Sequence, residues 1–230
     1  MDWIYEGEFK KGGRYKVRHL SLDDKREILR VQEEVAAQLT DKDSLATLSE
    51  EEFEYILSGK GLMLGVFAAN QLIAFRALLV PAIDDEHLGW DIGLSEDELA
   101  KVIYQEISCV LPEFRGNGLQ KILAVLIMEE LSNQDHPYRY ICCTVAPFNI
   151  PSLKDKFAQG MHIATVKEKY GGRLRYIFVL DLEENVEYEN RPTIQVDMED
   201  IETQKLKFSQ GLRCIDMEEK EDGYWLYFSQ

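Results

Sequence analysis

Val110-Leu-Pro-Glu-Phe-Arg-Gly-Asn-Gly-Leu-Gln-Lys121 joins an apolar run to a helix through a short turn carrying two glycines and one arginine. Upstream, Val102 to Leu111 reads as a strand; downstream, Leu119, Ile122, Leu123, Leu126, Ile127 and Leu131 recur at helical spacing. The junction is therefore a helix N-terminus. There the first N–H groups lack intrahelical partners, the helix dipole is positive, and Gly116 and Gly118 would let a phosphate approach the backbone closely. A plain strand-to-helix turn that needs glycine for positive φ reads the same residues as well.

Two familiar phosphate loops do not fit. A Walker loop needs Gly-Lys followed by Ser or Thr, whereas Gly118 is followed by Leu119, Gln120 and Lys121; the dinucleotide fingerprint needs a third glycine where Lys121 stands. The segment instead resembles motif A of the GNAT superfamily of acyl-CoA N-acyltransferases, V-x-P-x-x-R-G-x-G-x, at Val110, Pro112, Arg115, Gly116 and Gly118. A second stretch, Asn149-Ile-Pro-Ser152 ending in Gln159-Gly-Met161, resembles the family's N-x-x-[AS] motif at the start of the next helix. As a residue type, Asn149 in a Pro-flanked turn is also an ordinary helix-start residue.

The resemblance implies an α/β (α+β) chain of the GNAT fold, a central mixed twisted sheet of about seven strands flanked by helices. It implies acetyl-CoA as cofactor, held by Cys109, Val110, Leu111, Arg115, Gly116, Asn117, Gly118, Leu119 and Gln120, with Asn149, Ser152 and Lys156 along the pantetheine arm. Backbone N–H groups near Val110 would polarise the thioester carbonyl. In two places the chain departs from the pattern. Gln120 stands where many members have Gly or Ala, and Lys156 stands where a tyrosine often protonates the departing thiolate. A surface position on the helix is the ordinary reading for such a lysine.

At 230 residues, with 45% hydrophobic and 30% charged residues, the chain is long enough for one domain with a full core plus an appendage. No apolar run approaches membrane-spanning length and Met1-Asp-Trp-Ile-Tyr-Glu lacks the pattern of a secretion signal, so a cytoplasmic protein without membrane association is expected. Cys109, Cys142, Cys143 and Cys214 suit buried free thiols, and with four scattered histidines no metal is expected. A net charge of −16 opposes binding to nucleic acid and is compatible with cationic amines.

Residues 1–182 read as the acetyltransferase domain, 183–192 as a linker, and 193–230 as a small α+β appendage docked on the core or on a second subunit of a homodimer. Strands are expected at Arg14 to Leu20, Leu62 to Ala69, Leu72 to Val80, Tyr140 to Val145, His162 to Lys167 and Leu174 to Leu182. The appendage carries Thr193 to Val196, a helix from Ile201 to Gln210, and a hairpin of Leu212 to Ile215 with Tyr224 to Phe228. Between the third and fourth strands, the loop Pro81 to Ala100 holds seven acidic residues and Trp90. Asp84, Asp85, Glu86 and Asp91 are expected to make the cleft entrance negative, and Trp90 either to plug the loop onto the core or to cap a cleft.

Acyl transfer to an amine needs a base, because an alkylammonium is mostly protonated at neutral pH. Strand alternation places Ile103, Ile107, Cys109 and Leu111 on one face and Tyr104, Glu106 and Ser108 on the other. Glu106 is thus the candidate base and Tyr104 a stand-in for the missing acid. The expected activity is N-acetylation of a primary amine on a small molecule or an amino terminus, by direct attack within a ternary complex. A non-catalytic acyl-CoA-binding sensor or interaction module is the alternative.

Overall fold

The computed structural model of the chain describes residues 2–39, 45–135, 137–184 and 192–230. In chain order the elements are β1 (Tyr5–Glu8), β2 (Arg14–His19), α1 (Lys25–Ala37), α2 (Glu50–Tyr55), β3 (Gly61–Ala68), β4 (Gln71–Leu79), α3 (Leu88–Asp91), β5 (Val102–Val110) and α4 (Leu119–Ser132). They continue with β6 (Tyr140–Val145), α5 (Ile150–Phe157), β7 (His162–Lys169), β8 (Arg173–Asp181), β9 (Ile194–Asp197), α6 (Ile201–Ser209), β10 (Arg213–Lys220) and β11 (Gly223–Ser229). Two compact units result: Met1–Pro81 with Tyr104–His136, and Ala82–Ile103 with Pro137–Gln230.

In the first unit the strands lie in the order β1-β2-β3-β4-β5, each antiparallel to its neighbour. The chain enters α1 through Asp24, which accepts the Ser21 N–H at 3.0 Å and pairs with Arg18 at 2.7 Å. Ile28, Val31, Gln32 and Val35 form the buried stripe of α1 at the spacing an amphipathic helix requires. Ahead of α2, Ser49 and Glu52 exchange hydrogen bonds in the capping box that their spacing predicts. Phe53 of α2 packs edge-on against Phe75 of β4, ring centroids 5.9 Å apart, while α4 covers β3 and β4. The next residue along β4, Arg76, is buried and reaches the Gln120 carbonyl at the start of α4, 3.4 Å away. Successive strand residues point to opposite faces, so α2 and α4 lie on opposite faces of β4.

In the second unit the order is β6-β8-β7-β10-β11-β9. β10 joins β7 through the pair Cys214 and Ile163, α5 packs against β10 and α6 against β7. Ile141, Leu153, Ile163, Tyr176, Phe178, Leu226 and Phe228 are buried together with Cys214. All four cysteines are buried free thiols. Among the described residues no helix is long and apolar enough to cross a membrane.

Most elements appear where the sequence pattern puts them; among the described residues there are eleven strands, against about seven expected in the main domain and three in the appendage. β1 was not expected, because Tyr-Glu-Gly-Glu is polar and carries a glycine. β10 continues to Lys220 through Asp216-Met-Glu-Glu-Lys220; a bulge at Ile215 carries the charged run onward as a solvent-facing strand. The β3–β4 turn lies on Ala69 and Asn70, both at positive φ (47° and 65°), one residue earlier than expected. Of the expected linker, 185–191 lie outside the described residues.

Candidate functional site

β5 carries the expected catalytic residues, and its pairing with β4 is interrupted. Ile107 faces Ala77 while Gln105 faces Leu78, so Glu106 is an extra residue, a β-bulge. The bulge corrects the expected alternation. Ser108, opposite Arg76, and Gln105, whose Oε1 accepts from Arg76 at 2.7 Å, share the α4 face. Cys109, opposite Phe75, lies on the α2 face, and Glu106 is turned to that same face, where it feels the charge of Glu52 on α2. Tyr104, opposite Leu79, follows Glu106 there rather than Ser108. Burial first, and the Glu52 carboxylate second, push the Glu106 carboxyl up to about 7. Burial likewise raises the Cys109 thiol to about 12, so no thiolate forms there at neutral pH.

Beyond β5 the Leu111 N–H bonds to the Ile73 carbonyl at 3.0 Å, and by alternation the Val110 N–H points away from β4. A single turn at Pro112–Phe114 then leads to Arg115, which is exposed. Gly116 and Gly118 take φ of 78° and 77°, in the left-handed region that glycine tolerates, and a Cβ built on either would meet nothing within 4 Å. Gly118 stands at the N-cap of α4 with no side-chain cap. Among the described residues the amides of Gly116, Asn117, Gly118, Leu119, Gln120 and Lys121 have no backbone acceptor; the first to find one is Ile122, with the Gly118 carbonyl at 3.1 Å. No acidic residue occupies the first turn of α4, whereas Glu27, Glu50 and Glu202 occupy those of α1, α2 and α6. The result is an open, electropositive helix start with room above its backbone. Leu119 is buried and anchors the turn, while Gln120 is exposed, so its longer side chain lies outside the packed loop.

Asn117, expected as a cofactor contact, also shapes this loop, as does Arg76, which sequence reading missed. Asn117 donates its Nδ2 to the Phe114 carbonyl at 2.9 Å and accepts the Lys10 N–H on Oδ1 at 3.2 Å. Arg76, buried beneath the first turn of α4, holds that turn by the Gln120 carbonyl. Gly12-Gly13, a turn pair ahead of an apolar-alternating strand, signals the hairpin that brings Lys10 to Asn117; nothing in the sequence pattern marks Arg76.

In the second unit, Asn149 is the N-cap of α5 and its Oδ1 accepts the Ser152 N–H at 3.3 Å. Ser152 is half-buried in the first turn. Lys156 is not a surface residue: it is only 9% exposed, and its ammonium pairs with Asp155 at 3.2 Å. The amphipathic turn of α5 that buries Leu153 carries Lys156 inward three residues later. The acidic loop is corrected as well. Asp91 lies in ion pairs with Lys167 at 2.8 Å and Lys169 at 3.1 Å, and Glu86 also pairs with Lys169 at 2.9 Å. Two of the four acids are therefore neutralised inside their own unit. Asp84 ties the loop, accepting the Glu86 N–H on its side chain and the Trp90 indole N–H on its carbonyl. The Trp90 ring itself is 42% exposed and does not plug a core.

No family model and no curated protein matches the sequence. Solved structures do. The ribosomal-protein-alanine N-acetyltransferase from Escherichia coli is 16% identical over 76% of this chain and 97% of that chain, with a TM-score of 0.55. An acetyltransferase of the GNAT family from Streptococcus pneumoniae is 16% identical, covering 73% of this chain and 99% of that one, at 0.54. The PaiA N-acetyltransferase from Thermoplasma acidophilum, solved with coenzyme A, is 16% identical over 73% and 98%, at 0.51. At such identities the likeness is one of fold: the chain has the GNAT fold.

Proposed function

We propose that this GNAT-fold chain transfers the acetyl group of acetyl-CoA to a primary amine of a small molecule or an amino terminus, by direct attack of the amine on the bound thioester. One observation carries the reading. The bulge at Glu106 sets a carboxyl with a pKa of about 7 on the strand that runs into the open start of α4. A carboxyl near neutrality is matched to taking a proton from the attacking amine, directly or through water.

The roles of the other residues follow. Arg115 and the open amides from Gly116 to Gln120 would hold the pyrophosphate, and the room above Gly116 and Gly118 fits such a group. The Val110 N–H, pointing away from β4, would polarise the thioester carbonyl. Because the Cys109 thiol stays protonated, an acetyl-enzyme through it is disfavoured and direct attack is favoured. Asn149 and Ser152 would line the pantetheine arm. Tyr104 shares a face with Glu106 and is the hydroxyl assigned to proton return to the thiolate, with Lys156 supplying positive charge at the family's usual tyrosine position. That same lysine favours a second reading, an acyl-CoA-binding module without turnover.

A panel of small amines and short peptides, read by release of free CoA thiol, tests the enzyme reading. Turnover with at least one amine that falls on Glu106→Gln supports it. Tight acetyl-CoA binding with no thiol released above background favours the binding module.

A further inference from the structure

A basic feature of the first unit lies outside the residues assigned above. β1 and β2 form a hairpin whose tip, Phe9-Lys-Lys-Gly-Gly13, turns on Gly12 and Gly13 at φ of 88° and 95° and is closed by the Phe9 N–H on the Gly13 carbonyl at 2.9 Å. Three contacts seat this tip on the loop before α4. The Phe9 ring packs on Phe114 with centroids 5.6 Å apart and on Tyr15 at 5.1 Å. The Lys10 N–H donates to the Asn117 Oδ1 at 3.2 Å. Gly7 pairs with Tyr15, and a Cβ on Gly7 would meet the Tyr15 hydroxyl at 2.3 Å, so the ring lies across the glycine and stiffens the hairpin.

The Lys10 backbone is therefore fixed against the residue that precedes Gly118. Its side chain and that of Lys11 are exposed, and among the described residues neither has an ion-pair partner. Their neighbours do: Arg14 pairs with Glu8 at 3.5 Å and Lys16 with Glu6 at 2.6 Å. In a chain of net charge −16, two unpaired cations beside an electropositive helix start make a local positive field. Coenzyme A carries two anionic groups near its nucleotide end, the pyrophosphate and a phosphomonoester on the ribose 3′ oxygen. Arg115 and the α4 amides suffice for the first; the second needs further cations within reach.

We propose that Lys10 and Lys11 hold the ribose 3′-phosphate, so that the N-terminal hairpin selects coenzyme A over its 3′-dephospho form. The inference rests on the reading that the loop before α4 takes the pyrophosphate. Calorimetric titration of the full chain with coenzyme A and with 3′-dephospho-CoA tests it, in the parent, in Lys10→Ala/Lys11→Ala and in Lys10→Arg/Lys11→Arg. The parent binds coenzyme A about tenfold or more tighter than the dephospho form, as charge-assisted contacts to one phosphate warrant. The alanine pair loses most of that ratio while its affinity for dephospho-CoA stays within about twofold of the parent's, and the arginine pair keeps the ratio. A ratio unchanged in the alanine pair, or an equal loss for both ligands, overturns the clamp and leaves the pyrophosphate reading standing. A parent that binds neither ligand overturns both.

Discussion

Two helices of this protein, α4 and α5, each follow a strand and a short turn, and they begin in opposite ways. α4 starts at a left-handed Gly118 without a side-chain cap, and α5 starts at Asn149, whose own carboxamide accepts the Ser152 N–H. A glycine N-cap in place of asparagine forgoes only about a few tenths of a kcal/mol of stability. At α5 the chain takes that stabilisation from its own side chain. At α4 it leaves the amides to a partner from outside, which explains why the glycines and the exposed Arg115 occur together there.

The contrast can be broken most sharply at Gly118. Asparagine tolerates the left-handed backbone, so Gly118→Asn keeps the fold while a side chain enters the open space over the loop. Acetyl-CoA affinity, measured by calorimetry, falls about 100-fold or more if several charge-assisted contacts to phosphate are lost together. An affinity equal to the parent's would dissolve the distinction between the two helix starts.

Next in size is Glu106→Gln, which lowers turnover about 10²-fold with acetyl-CoA affinity nearly unchanged. In the parent, kcat/KM rises with pH through about 7 as Glu106 ionises, and the variant lacks that limb. Stability runs the other way. The folded carboxyl sits above its unfolded value near 4.5, so the stability it contributes is full below about 4.5 and is lost as pH rises through 7. Thermal melts at pH 5 and pH 8 therefore show Glu106→Gln gaining on the parent at the higher pH, by on the order of 3 kcal/mol at most. A variant that loses ground at pH 8 shows that the ionised carboxylate is held by partners rather than exposed to a penalty.

Smaller effects sharpen the α5 side. Lys156→Met removes a buried charge and, on the proposed reading, lowers kcat about tenfold with little change in KM, read by steady-state kinetics. Asn149→Ala removes a cap that the protein itself uses, so it costs about 1 kcal/mol in a denaturant melt. Its effect on acetyl-CoA affinity stays within a few-fold, far below that of Gly118→Asn.

These contrasts also mark what a linear reading could reach. The helix at Leu119, the strand at Val102 and the capping box at Ser49 follow from local periodicity and spacing, and they lie where the pattern puts them. The face to which Glu106 points did not follow, because a bulge is set by how β5 pairs with β4, and one extra residue exchanges faces without altering composition. The burial of Lys156 depended on packing around α5, and the pairing of Asp91 depended on lysines 76 and 78 residues further along the chain, at 167 and 169. The β1 hairpin was hidden for a related reason. Glu6 and Glu8 face outward, and on the opposite face Tyr5 is exposed and Gly7 has no side chain, so the apolar cover there is carried by Tyr15 of the neighbouring strand.

The most direct test of the open helix start is to watch its amides. In a ¹⁵N-labelled sample titrated with coenzyme A, the largest downfield amide shifts fall on Gly116 to Gln120, as those N–H groups acquire phosphate acceptors, with the Ser152 amide changing less. Saturable binding of coenzyme A that leaves the Gly116 to Gln120 amides where they were would contradict it.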